Sequence, residues 1–511
     1  MHNNTSSQDS QGICYLVGAG PGDIGLVTLK AKACLEKADV LVYDALSHPD
    51  LVTWVSEDCE IIYAGKRADQ HALTQDQINA TIVEKTKEGK CVVRLKGGDP
   101  MIFGRGGEEA AELADLGLKF EIVPGISSSI AGPAYAGIPV THRSHCSQLT
   151  LFTGHEDPTK EDTSLDYQQI AQARGTKVFL MGVSRMAAIT KTLIEHGANP
   201  DEPMALVRWA TTNRQESLVG TLGTMAELVK KNNFKSPAVA VIGGVVNERE
   251  KINWFEQRPL LGKRIVVTRT RQQSSALKQK LVDLGAEIIE IPTIKMVPAT
   301  DQETFNDCIE NAYTYDWIVF TSPNGVEYFF NRFFERFDDA RSLGGVKIAA
   351  IGPGTAKKIK QYHFATDLIP EVYHAEGLIE AFKKEDIDHH TVLYVKPKQT
   401  REILTPALRD MNAIVDECIV YETVAETRDV TGAKQRLIDE GADLITFTSS
   451  STAEHFKALD LPLNDDCKVA CMGPITSKAL GELGYPVDVV SSEATINAFV
   501  DAIVEHFNPD A

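Results

Sequence analysis

The chain has 511 residues, 43% of them hydrophobic, and a formal net charge of −19 at pH 7. That is enough apolar chain for about three or four domains of ordinary size. The acidic balance excludes nonspecific attachment to nucleic acid or to an anionic membrane surface, while an acidic small molecule could still be held by local Arg, Lys and His groups.

Residues 1–12 are polar, with neither a basic segment nor an apolar stretch of signal-peptide length, and are expected to form a disordered tail. No apolar run reaches the length of a membrane span. The nine cysteines are scattered and never spaced Cys-x-x-Cys, which fits reduced thiols and a cytoplasmic location. His142, His145 and Cys146 lie close in sequence, but no second cluster stands at ligand spacing, so no metal is expected.

From Ile13 an apolar strand runs into the loop Gly18-Ala-Gly-Pro-Gly-Asp23, followed by an amphipathic helix. The loop invites a dinucleotide reading, but Asp23 stands where the fingerprint needs its third glycine and Pro21 stiffens the turn. No phosphate-binding Gly-x-x-x-x-Gly-Lys-Ser/Thr loop occurs. Strands at Val40–Asp44 and Glu60–Arg67 each end in charge, at the edge where loops of a parallel sheet carry chemistry. Asp44 and Lys66 are therefore candidate acid and base groups, with solvated strand-end charge as the competing reading.

The apolar run Cys91–Leu95 gives way to a stretch holding Gly97, Gly98, Gly104, Gly106 and Gly107, five glycines in eleven residues. An ordinary turn needs one or two. We read the stretch as a loop against whose bare backbone a ligand lies, with Asp99 ready to accept hydrogen bonds. Phe120–Ser129 is another strand entering a loop of small hydroxyls, and Ala136–Arg143 places Thr141, His142 and Arg143 together. Beyond Ser147, strands near Leu149, Lys177, Met204 and Ala238 belong to a second sheet, which puts a boundary between two α/β lobes near Ser144.

Residues 13–258 resemble uroporphyrinogen-III C-methyltransferase, through Val17–Asp23, Tyr43–Leu46, Gly65–Arg67, the whole of 92–109, Val123–Ser127, Ala136–Arg143, Thr153–His155 and Met181–Gly182. The resemblance implies a two-lobed tetrapyrrole methylase fold with lobes at 13–143 and 144–258. It implies S-adenosyl-L-methionine between the lobes, against Pro21, Gly97, Gly98, Asp99, Ile102, Ser127, Ser128, Met181 and Ala210. Ser127-Ser128 stand where the family often has Thr-Ala, and Ala210 where it has Gly. Asp44 falls at the family's proton acceptor and Lys66 at its proton donor. The pyrrole carbon is already nucleophilic, so alignment with the sulfonium methyl is the main task, followed by loss of a proton that a carboxylate can take. The acceptor carries eight carboxylates, for which Lys66, Arg67, Arg105, His142 and Arg143 are candidate anchors. The family also implies a homodimer through this half.

After a linker at Pro259–Gly262 the chain repeats itself at a domain-sized offset. Trp317–Phe329 returns as Leu444–Phe456, and Val346–Ala356 as Cys467–Ser477; Arg264–Arg271 has a weaker echo in Val392–Lys398. Each unit alternates apolar strands with amphipathic helices, which predicts two similar α/β domains on parallel sheets. The Thr-Ser and Gly-Pro-x-Thr loops are helix N-caps that, facing each other as two sets, could also hold carboxylates.

This half resembles uroporphyrinogen-III synthase through Val267–Arg269, Phe320–Gly325, Ala350–Thr355, Tyr421–Thr423 and Phe447–Ser450. The resemblance implies one domain from 259–296 plus 419–511 and another from 297–418, joined by a two-strand connector. It implies cyclisation of hydroxymethylbilane with inversion of ring D, without metal or cofactor, by folding the flexible chain and shielding the cation from water. Tyr421 matches a tyrosine assigned to leaving-group departure, against a plain core tyrosine. Arg269, Thr321, Ser322, Thr355, Thr448, Ser449 and Thr476 are the candidate substrate contacts. The expectation is a bifunctional enzyme leading to precorrin-2. Its alternatives are a nicotinamide-dependent oxidoreductase built on the Gly18 loop, or a methyltransferase carrying a noncatalytic ligand-binding module.

Overall fold

Among the described residues, apolar segments of four to twelve residues form most of twenty strands, which assemble into four five-stranded sheets. The computed structural model describes residues 12–65, 73–155, 163–268, 271–426, 429 and 431–509. The expected tail up to Gln11, with Lys66, Arg67 and Arg269, lies outside the described residues.

The first sheet contains β1 (Ile13–Gly18), β2 (Val40–Tyr43), β3 (Glu60–Tyr63), β4 (Cys91–Lys96) and β5 (Lys119–Val123), in the order β3-β2-β4-β1-β5. All its pairings are parallel. Tyr15, Val17, Leu41, Val93 and Leu95 pack into one core, while Cys14, Leu16, Val40, Val42 and Val92 pack into another. Alternate side chains thus meet helices on opposite faces, which is why these strands are apolar throughout rather than at every second residue.

The second sheet takes β6 (Leu149–Thr153), β7 (Thr176–Leu180), β8 (Pro203–Arg208), β9 (Glu216–Thr221) and β10 (Ala238–Ile242), in the order β6-β7-β10-β8-β9. Only β6 and β7 run parallel. β9 is a half-exposed edge strand without a continuous apolar signal, and the sequence reading passes over it. The helix Ser128–Tyr135 already belongs with this sheet: a Cβ on Gly132 would lie 2.8 Å from Val239 Cγ1, and Ala136 and Ile138 share a core with Val178, Val207 and Val241. The crossing between lobes therefore falls just before Ser128, earlier than the boundary expected near Ser144, because small residues let that helix settle onto β10.

The second half begins with β11 (Arg264–Val267) and β12 (Glu287–Glu290). The chain then leaves for β13 (Ile294–Pro298), β14 (Trp317–Phe320), β15 (Lys347–Ala350), β16 (Thr391–Pro397) and β17 (Ile414–Ala425), before returning for β18 (Leu444–Phe447), β19 (Lys468–Cys471) and β20 (Val489–Val490). The sheets are ordered β12-β11-β18-β19-β20 and β13-β17-β16-β14-β15. The first is parallel throughout; in the second only β13 is antiparallel, paired to the far end of β17 from Ile294↔Ala425 to Pro298↔Tyr421. The two passages of chain between the domains lie beside each other there. The repeat has the same register in both sheets, Trp317↔Lys347 and Leu444↔Lys468.

The two halves touch. Gly262 N–H donates to the Asn213 carbonyl (3.1 Å), Lys278 pairs with Asp50 (2.6 Å), and Arg214 pairs with Glu287 (2.9 Å). Burial would raise the Glu287 carboxyl, yet Arg214, Arg436 and Arg264 around it pull it down to about 2.

Candidate functional site

The loops leaving β1, β4 and β5 meet at the carboxyl edge of the first sheet. Gly20 and Gly98 exchange backbone hydrogen bonds of 3.2 and 2.7 Å. Gly98 has φ +70, a conformation glycine adopts without strain. A Cβ on Gly125 would stand 2.2 Å from the Gly98 carbonyl oxygen, and one on Gly97 2.6 Å from Leu46 Cβ. Gly104 and Gly106 press on the Pro100 carbonyl, where added Cβ atoms would come within 2.7 and 2.5 Å. Several of the glycines read as bare ligand backbone thus serve close packing of loop on loop. Gly98 and Gly107 are less crowded, an added Cβ meeting its nearest neighbour at 3.8 Å, an ordinary van der Waals contact.

These loops face the segments of the second sheet that follow β7 and β8 and precede β10, across a cavity of about 1700 Å³. Pro21, Gly97, Gly98, Asp99, Ile102, Ser127, Ser128, Met181 and Ala210 all line it, as do Asp44 and Arg105. His142 and Arg143 are not among its lining residues. His142 instead lies in a tight turn closed on Cys146, and its ligand atoms, with those of His145 and Glu248, fall within 4.8 Å of one another. His145 Nε2 lies 2.8 Å from Glu248 Oε1, so this pair already satisfies itself.

Asp99 is less free than its sequence position suggests. Its Oδ1 accepts the Met101 N–H (2.7 Å) and its Oδ2 the Gly125 N–H (3.0 Å), so the carboxylate clamps the β4 loop to the β5 loop. Ser127 is the N-cap of the helix Ser128–Tyr135, accepting the Ser129 N–H (3.3 Å). Both walls carry strained backbone: among the described residues ten non-glycines have positive φ, and five of them line the cavity, Phe103 and Arg105 from the first lobe and Met181, Trp209 and Thr211 from the second. Such conformations cost energy and persist only where surroundings impose them. Thr211 shows one such tie, its Oγ1 accepting the Asp23 N–H from the facing lobe (3.0 Å).

Beneath the cavity floor runs a buried ionic chain. Arg94 lies 3.4 Å from Asp44 and 3.4 Å from Glu109, and Lys96 lies 2.6 Å from Glu109. Glu109 is fully buried, and Gln75 Nε2 donates to its Oε1 (2.9 Å). Burial and the neighbouring Arg94 lower the Lys96 ammonium, against the pull of Glu109. Asp44 Oδ1 accepts the Leu46 N–H (3.1 Å), which leaves a partly exposed carboxylate, oriented from behind by Arg94, facing the cavity. Arg94, Lys96 and Glu109 are not among the site residues expected from sequence. The available signal was two cations on the same face of an otherwise apolar strand, which cannot remain buried without a partner. Arg105 lines the cavity but spends its guanidinium on Glu108 (2.6 Å).

In the second half Ser322 and Ser449 are the matching N-caps, accepting the Gly325 N–H (2.9 Å) and the Thr452 N–H (3.4 Å). Tyr421, on β17, is 6% exposed and stacks on Tyr328, ring centroids 5.3 Å apart. Its hydroxyl lies 3.3 Å from Ser322 Oγ. Thr355 and Thr476 occupy the third position of equivalent helices and are buried, whereas Thr321 and Thr448 are half-buried at strand ends.

Two lobes closing glycine loops on one cavity, followed by a duplicated pair of largely parallel sheets, define a two-module α/β protein with a methylase-like first half. The model of the Tetrapyrrole (Corrin/Porphyrin) Methylases matches residues 14–226, and that of Uroporphyrinogen-III synthase HemD matches residues 275–501. The "Porphyrin biosynthesis protein HemD" of Ruminiclostridium josui is 36% identical over 97% of this chain and 98% of its own length. The "S-adenosyl-L-methionine-dependent uroporphyrinogen III methyltransferase" of Methanosarcina barkeri (strain Fusaro / DSM 804) is 50% identical over 46% of this chain and 92% of its own. A crystal structure of uroporphyrin-III C-methyl transferase from Thermus thermophilus, complexed with S-adenyl homocysteine, is 35% identical, covers 46% of this chain and 99% of its own, and has a TM-score of 0.40. The chain belongs to the family that fuses uroporphyrinogen-III C-methyltransferase to uroporphyrinogen-III synthase, bifunctional enzymes of tetrapyrrole biosynthesis.

Proposed function

We propose that the second half cyclises hydroxymethylbilane to uroporphyrinogen III and that the first half methylates this product twice, giving precorrin-2. The observation that carries the methylase reading is the convergence of nine residues, scattered from Pro21 to Ala210, on one cavity that also holds Asp44.

The residues fit S-adenosyl-L-methionine. The cavity wall is built of small side chains and loop backbone at Gly97, Gly98, Ser127, Ser128 and Ala210, which leaves room for a ligand between the lobes. Bound there, the donor supplies an electrophilic methyl on a sulfonium. The chain's own work is alignment and proton handling. Gly98 and Ile102 would lie against the donor, and Asp99 keeps their loop in place. Asp44 takes the proton that the methylated ring must lose, directly or through water, while Arg94 holds the carboxylate in position. Lys66 as proton donor, with Arg67 as an anchor, completes the reading from the family resemblance.

In the second half, Tyr421 would donate to the departing hydroxyl, with Ser322 Oγ fixing the phenol, and the facing hydroxyl loops would hold the acidic bilane. All nine cysteines are free thiols, and among the described residues no helix is long and apolar enough to cross a membrane. The free thiols support a cytoplasmic enzyme, and the family resemblance supports a homodimer through the methylase half. Titration calorimetry with S-adenosylhomocysteine and with NAD tests the cofactor assignment: binding of the first is expected, and tight NAD binding without it would overturn the reading.

A further inference from the structure

Seven arginine and lysine side chains among the described residues line the large cavity. Six are committed to carboxylates: Arg94 and Lys96 to Glu109, Arg105 to Glu108, Lys278 to Asp50, and both Arg214 and Arg436 to Glu287. Arg258 differs from all of them. Among the described residues it makes no ion pair; its guanidinium lies over two rings, 4.9 Å from the Trp254 centroid and 4.7 Å from that of Phe255.

The side chain is held where the halves meet. The Arg258 N–H donates to the Phe255 carbonyl (3.2 Å), and Leu261 N–H donates back to the Arg258 carbonyl (3.1 Å). Its Cβ packs so closely on the turn before β12 that a Cβ on Gly285 would stand 2.9 Å away. A guanidinium held against aromatic rings keeps N–H donors that can grip a carboxylate with two parallel hydrogen bonds. The stem is thus positioned in advance, and among the described residues this cavity-lining arginine has no carboxylate partner.

We propose that Arg258 binds a carboxylate of a ligand in the cavity. The proposal rests on the methyl-transfer reading, which offers two sources of that group: an acidic side chain of the tetrapyrrole acceptor, or the amino-acid carboxylate of the methyl donor. It assigns a binding role to the junction between the halves, outside the residues expected from the family.

The test uses Arg258→Met in the full-length chain, which keeps an apolar stem against Gly285 and the rings but removes the N–H fork. Calorimetry gives the Kd for S-adenosylhomocysteine, and steady-state methyl transfer gives the KM for uroporphyrinogen III. The expected result is a weakening of roughly ten-fold or more in one of them, the size of a lost charge-assisted hydrogen bond. A raised KM assigns the acceptor, a raised Kd assigns the donor, and Arg258→Lys should recover part of the loss. If both constants stay at wild-type values, Arg258 is a packing residue and the proposal is overturned. Cyclisation of hydroxymethylbilane by the same preparation reports an intact fold; should Arg258→Met lose it, Arg258→Gln carries the same comparison. A wild-type chain that binds no S-adenosylhomocysteine would overturn the methyl-transfer reading together with this proposal, whereas wild-type binding with an unchanged variant removes Arg258 alone.

Discussion

The two halves place their candidate chemistry in opposite surroundings. In the first, loops from two lobes stand apart across a cavity, and the proposed proton acceptor Asp44 is partly exposed with an ionic chain behind it. In the second, the candidate residues are helix caps and buried hydroxyls, with Tyr421 stacked in a core. Removing a functional group should therefore separate activity from stability in the first half and mix the two in the second.

The largest separation is expected at Asp44. Asp44→Asn should reduce methyl transfer by about 10²- to 10⁴-fold, the usual range for a positioned proton acceptor. S-adenosylhomocysteine affinity and cyclisation should hold. Turnover at the wild-type rate would remove Asp44 from the mechanism and erase the contrast.

Glu109→Ala acts from beneath the same site but through stability. It leaves Lys96 buried without a carboxylate and Arg94 with Asp44 alone, which should cost about 3–5 kcal/mol in denaturant unfolding of the methylase half. A loss below about 1 kcal/mol, the level of an exposed pair, would mean that water already reaches the chain.

At the junction between halves the comparison can be read with pH. Glu287 is lowered from 4.5 to about 2 by its arginines, so its folded form binds a proton less readily than its unfolded form. Its contribution, at most roughly 3 kcal/mol, should be complete above about pH 4.5 and fade as pH falls toward 2. Urea unfolding of the wild type and of Glu287→Gln should converge over that acid window. Parallel pH profiles would show that the pair carries no coupling.

The smallest effects belong to the second half. Ser322→Ala should cost about 1 kcal/mol through the lost cap of the helix Pro323–Arg336. Tyr421→Phe should slow cyclisation beyond what its stability change explains. An unchanged rate returns Tyr421 to the core.

The same contrast explains what could be read in advance. Gly98, Asp44 and the hydroxyl caps sit where apolar strands end, and a strand end is visible in one dimension. The duplicated sheets were visible for the same reason, since Phe320 and Phe447 recur in matched settings. Trp209 and Thr211 were not: bulky residues carry no mark of a left-handed backbone that their neighbours impose. Nor did Glu109 announce itself, because its partners Arg94 and Lys96 reach it from a strand across the helix–sheet interface. Glu248 lies far along the chain from His145, and Glu287 far from Arg214, so both contacts exist only once the fold is formed. His142 and Arg143 are candidate anchors by their charge, which says nothing of where they point, and neither is among the residues lining the cavity.

Incubation of the full-length chain with hydroxymethylbilane and S-adenosylmethionine, with the product read by absorbance and mass, tests the central claim most directly. The account predicts a type III tetrapyrrole carrying two added methyl groups. Unmethylated product, or only the type I isomer that forms without a synthase, would contradict the assignment of one half or the other.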